Sequence, residues 1–140
     1  MKRTALLGAA VAAAVVAGVA AGGIALATSD SHTLHLTTTR LQFVNTSKTT
    51  FVEADAVFKT KKAGYETITC NDGGQQIVCS LTIALKGGVL LGNLSIPITS
   101  DTSTNVTGKV TGGLGKFAGD KGTIKGVITG KHATYTVKYR

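Results

Sequence analysis

The sequence predicts an all-β protein, a single small antiparallel eight-stranded β-barrel after an N-terminal signal helix. Three observations carry that expectation. Apolar and polar residues alternate with period two through several segments, Thr, Val and Gly are plentiful beyond residue 27, and no long 3.6-residue periodicity follows that point. Turn-forming residues separate the alternating runs at hairpin spacing.

The chain opens with Met1-Lys2-Arg3, then the apolar, Ala-rich residues 5–26, then Ala25-Leu26-Ala27 before Thr28. A short positive region, an apolar stretch and a small-residue cleavage position are the layout of a secretory signal. Residues 1–27 are read as the signal peptide and residues 28–140 as the barrel domain, in a secreted or extracytoplasmic compartment. Residues 5–26 are also just long enough to cross a bilayer, so an uncleaved anchor is the alternative. Their Ala, Gly and Val content makes insertion weak and favours cleavage.

Residues 32–44 place Leu34 and Leu36 on one face but Leu41 and Phe43 on the other. Either a bulge near Thr38-Thr39 shifts the register or both faces are partly covered. In residues 52–59, Val52, Ala54, Ala56 and Phe58 oppose Glu53, Asp55 and Lys59, with Val57 the exception. The apolar set is expected to face the core, leaving Glu53 and Asp55 in water beside lysines. Were that face to line a cavity, the two like charges would raise one pKa and make an acid/base partner.

Residues 65–70 form a short strand entering the Asn71-Asp72-Gly73-Gly74 turn. The clearest strand is residues 76–86, where Ile77, Cys79, Leu81, Ile83 and Leu85 share one face. Gly87-Gly88 turns into residues 89–97, and Pro97 suits a strand end because it cannot donate to a ladder. Residues 105–111 and 122–129 flank a Gly-rich connection, and Gly130-Lys131 makes the last tight turn. Ala133, Tyr135, Val137 and Tyr139 then alternate with His132, Thr134, Thr136 and Lys138. Such a meander buries one face as a barrel or a two-sheet sandwich. Sequential hairpins favour the barrel, which has no free edges.

Cys70 and Cys79 are the only cysteines and flank the predicted turn, each in phase with apolar neighbours. In an oxidising compartment a cross-strand disulfide is the economical assignment. A ten-residue loop of this kind contributes about 2–3 kcal/mol before strain. A redox pair would lie closer in sequence at a helix start, and zinc would need more soft ligands.

The segment Cys70…Cys79-Ser-Leu-Thr-Ile-Ala-Leu-Lys-Gly-Gly, followed by Thr111-Gly-Gly-Leu-Gly-Lys-Phe-Ala-Gly, resembles the allene oxide cyclase-like barrel family, in particular its small secreted bacterial members. That family is related to plant dirigent proteins. The likeness runs from about residue 65 to 128, and its turn pattern falls on Thr111, Gly112, Gly113, Gly115, Lys116, Phe117, Gly119 and Gly122. It implies a barrel whose interior accepts a small apolar molecule. It carries no catalytic residue across, since neither the cyclase nor the dirigent set is matched. Independently of that likeness, the glycines suit left-handed or bulged geometry, and Phe117 offers an apolar plug for a barrel end. No Gly-Lys-Ser/Thr arrangement or following helix supports a phosphate loop.

The formal charge of +8 becomes +6 once Lys2 and Arg3 are removed. The remaining Lys and Arg are dispersed along the chain, which argues against a nucleic-acid surface and suits a mildly cationic one loosely attracted to an anionic envelope. His32, His35 and His132 make no metal set, and neither metal nor cofactor is expected. No Ser-His-Asp arrangement stands out among the abundant hydroxyls. Asn45, Asn93 and Asn105 begin Asn-x-Ser/Thr sequences without further consequence. Of Tyr65, Tyr135 and Tyr139, Tyr135 merits most scrutiny, because a tyrosine inside a barrel needs a hydroxyl partner.

The candidate ligand-binding residues are Tyr135, Phe58, Leu81 and Ile83. The leading expectation is a secreted barrel that binds a small hydrophobic or amphipathic ligand. A metal-independent cyclase or isomerase and a non-catalytic envelope module are the alternatives. Nucleic acid is not expected as a partner, nor is a membrane unless the signal segment is retained; homo-oligomerisation stays open.

Overall fold

The computed structural model describes residues 30–140, so the expected signal peptide lies outside the described residues. Eight strands follow in order: β1 (His32–Asn45), β2 (Thr50–Phe58), β3 (Lys62–Asp72), β4 (Gln76–Leu85), β5 (Gly88–Pro97), β6 (Ser103–Gly115), β7 (Gly122–Thr129) and β8 (His132–Tyr139). Each pairs antiparallel with its sequence neighbours, and β1 pairs with β8 from His32↔Tyr139 to Thr39↔His132, closing the barrel. Closure satisfies the ladder groups of what would otherwise be two edge strands.

The inward faces supply the core. Leu36, Val57, Ile68, Leu81, Ile83, Leu90, Leu94, Val106, Val110, Ile124 and Val137 are buried. Cys70 and Cys79 face each other in the β3–β4 ladder with Cα atoms 4.0 Å apart and form the expected disulfide. The alternation read in residues 76–86 and 132–139 matches the inward faces of β4 and β8.

Three details differ from the sequence reading. The bulge in β1 lies between Arg40 and Gln42, not near Thr38-Thr39, and ejects Leu41 to 60% exposure. Thr38 and Arg40 consequently keep the inward parity of Leu34 and Leu36. In β2 the inward residues are Glu53, Asp55 and Val57, so the expectation that Glu53 and Asp55 face water is overturned. Val57, the exception in the pattern, is fully buried and marks the true core face. Finally, Gly112, Gly113 and Gly115 belong to the end of β6 rather than to a connection, which spans only residues 116–121.

The two ends of the barrel differ. The β2–β3, β4–β5 and β6–β7 connections meet at one end, together with the start of β1 and the end of β8. Phe117, 1% exposed, seals it, with its ring set edge-on to Tyr139 at 5.6 Å. The end of β6 and the connection after it turn on Gly115 and Gly119, whose φ values of 63° and 86° favour glycine. At the other end lie the β1–β2, β3–β4, β5–β6 and β7–β8 turns, and this end is open.

Candidate functional site

The open end holds a cavity of about 90 Å³ that combines apolar walls with charged groups. Phe43 and Phe51, with ring centroids 5.1 Å apart, stand on one wall. Ile68, Ile96, Ile128 and Ala133 continue the apolar lining, and Tyr135, Asp55, Glu53 and Arg40 provide the polar part.

The register explains why these groups meet. Asp55 lies directly across from Arg40 on β1 and from Glu66 on β3. All three positions are inward, so a row of one cation and two acids crosses three adjacent strands. Arg40 Nη2 donates to Glu53 Oε2 at 2.6 Å, neutralising one acid. Tyr135, 3% exposed, donates its hydroxyl to Glu66 Oε1 at 3.5 Å, which places Glu66 behind the cavity floor. Room for the Tyr135 ring comes from Gly126, its cross-strand partner: a Cβ there would lie 2.5 Å from Tyr135 Cδ1.

Three carboxylates with one guanidinium in an apolar barrel cannot all ionise cheaply. Burial, and then the charges of Asp55 and Glu53, push the Glu66 pKa up to about 8. Burial and the neighbouring Glu53 raise Asp55 to about 6. Burial and the Glu66 charge keep the Tyr135 phenol protonated, its pKa well above the ordinary value. At neutral pH the row therefore holds a neutral carboxylic acid at Glu66 beside a largely ionised Asp55. Thr38 Oγ1, Arg40 Nε, Asp55 Oδ1 and Glu66 Oε2 are buried without a hydrogen-bond partner within the protein. Buried polar atoms ordinarily have partners, so the unspent groups of Arg40 and Asp55, both in the cavity lining, are capacity for a guest.

Of the four candidate ligand-binding residues, Tyr135 lines this cavity. Leu81 and Ile83 pack in the core away from it, and Phe58 is half-buried at the end of β2, outside the lining. The structure adds Glu66, Arg40 and Thr38 to the residues considered. The same parity that put Cys70 and Ile68 inward points Glu66 inward too, and that signal was present in the sequence. Among the described residues no group of three or more His, Cys, Asp or Glu is placed to hold a metal ion.

No protein-family model matches the sequence, and no curated protein matches it. Among solved structures the chain is similar to one titled pyocyanin demethylase, with a TM-score of 0.65 and 22% identity, over 78% of this chain and 100% of that one. At that identity the similarity shows the shared architecture: this chain is an eight-stranded antiparallel β-barrel structurally related to a barrel-fold enzyme.

Proposed function

We propose that the protein is an exported barrel that binds a small amphipathic molecule at its open end. The ligand lays its apolar part against Phe43, Phe51, Ile96 and Ile128 and presents a cationic or hydrogen-bond-donating group to Asp55. The observation that carries this reading is the buried, unpartnered carboxylate oxygen of Asp55 in the lining of an apolar cavity. Concave sites with apolar walls and a few convergent polar groups are where small ligands bind. Export is supported by the signal-like residues 1–27 and by the Cys70–Cys79 disulfide, which persists in oxidising compartments.

Benzylamine, benzyl alcohol and benzoate share a ring and differ in charge, so their binding by calorimetry near pH 7.5 tests the reading. Benzylamine should bind most tightly and benzoate least, and Asp55→Asn should abolish the difference. Equal binding of the three, or binding of none, would sink the proposal.

A second reading is a metal-independent cyclase or isomerase of the allene oxide cyclase type. What favours it is the pairing of a neutral Glu66 acid with an ionised Asp55, two carboxyl groups whose pKa values are driven apart. A protein of similar architecture is, by its title, a demethylase of pyocyanin, so the architecture is compatible with chemistry on a bound molecule. Polyene and epoxide substrates test this reading, and product ratios identical to the uncatalysed reaction would count against it.

A further inference from the structure

The lysines that are scattered in sequence converge in space at the sealed end. Lys59, Lys61, Lys86 and Lys116, from three different connections, and Lys62 at the start of β3 line one surface cleft of about 260 Å³. The connections are tied together, since the Lys116 amide donates to the Gly87 carbonyl at 2.9 Å and its aliphatic stem lies across Gly87. All five lysines are exposed, and among the described residues none makes a salt bridge. Lys121, Lys138 and Arg140 lie at the same end, with only Asp30 and Asp120 to oppose them. Elsewhere in the barrel the charges nearly cancel. Arg40, Lys48, Lys109, Lys125 and Lys131 stand against Glu53, Asp55, Asp72 and Asp101, with Glu66 protonated at neutral pH. Most of the positive excess of residues 30–140 therefore sits on one end.

We propose that this end docks on an anionic lipid bilayer. Clustered lysines beside a membrane gain attraction to acidic headgroups that scattered ones do not. In the uncleaved chain, connectivity favours a bilayer over a soluble polyanion: β1 starts at this end, and residues 27–31 link it directly to the apolar residues 5–26. Five residues span at most about 18 Å, so where that run meets a membrane the sealed end stays within that reach of its surface. Docking in this pose turns the open, carboxylate-lined end toward solvent, free to receive a ligand.

Co-sedimentation of the full chain with phosphatidylglycerol-containing vesicles and with pure phosphatidylcholine vesicles tests the proposal. The triple variant Lys61→Gln, Lys86→Gln, Lys116→Gln removes one lysine from each connection. It should weaken partition onto the anionic vesicles by at least about tenfold. The charge-matched variant Lys48→Gln, Lys109→Gln, Lys125→Gln should bind as the parent does. Thermal unfolding of both variants should match the parent, as all six side chains are exposed. Equal losses in the two variants would assign the attraction to net charge and overturn the proposal. So would parent binding that ignores lipid charge, or binding to soluble polyphosphate that leaves the vesicles bare.

Discussion

Glu66 sits among Asp55, Tyr135 and the core, and its proton is what allows it to stay there. Its pKa is raised from 4.5 to about 8 chiefly by burial, so the folded chain keeps a proton that the unfolded chain releases. Stability is then full below about pH 4.5 and declines as pH rises through 8, with a slope approaching about 1.4 kcal/mol per pH unit. Asp55, raised to about 6, adds to the decline at its lower end. Urea midpoints measured from pH 4 to 9 should fall steadily for the parent, whereas Glu66→Gln should flatten the curve above pH 6. A parent curve flat over that range would contradict a neutral buried Glu66. The acids were harder to place from sequence than the apolar residues for a physical reason. A barrel interior can hold charge when a proton or an arginine neutralises it, and the alternation rule assigns polar residues to water. Arg40 opposite Asp55 is a pairing between strands that the alternation within either strand does not show.

At the level of elements, β3 and β4 form the most legible unit. Their alternation, turn residues and paired cysteines all agree, and such agreement across levels marks a strongly specified hairpin. Replacing both Cys70 and Cys79 by Ala should lower stability by about 2–3 kcal/mol, read as a shifted urea midpoint with an unchanged far-ultraviolet spectrum. The β7–β8 hairpin is specified differently, by a missing side chain. A Cβ at Gly126 would stand 2.5 Å from both Tyr135 Cδ1 and the Thr134 carbonyl oxygen, and the backbone atom cannot swing aside. Gly126→Ala should therefore destabilise by about 1–3 kcal/mol and weaken benzylamine binding, because Tyr135 must leave the cavity floor. Loss of stability with binding intact would separate Tyr135 from the site. β2 was the least legible strand. Ala54 and Ala56 are small enough to serve on either face, so apolar character alone could not orient it, and Val57 held the information.

As a whole, the molecule is a cup with unlike ends: one sealed and cationic, the other open and lined with carboxylates. Neither end is legible along the chain, because the lysines come from three separate connections and the acids of β2 and β3 meet Tyr135 of β8 only when β1 pairs with β8. Closure should also make the two ends separable in energy. Phe117 is the plug, fully buried against Tyr139 and the end of β6, and it lies at the opposite end from the cavity. Phe117→Ala should cost about 3–5 kcal/mol, since a large ring is removed from a site that the rigid ladder cannot collapse to fill. Effects at well-separated positions combine additively, so benzylamine affinity at the open end should stay within about twofold of the parent. Calorimetry on the folded variant, paired with its urea midpoint, gives both numbers. A large fall in affinity alongside the stability loss would show instead that the packing of the core couples the plug to the cavity floor.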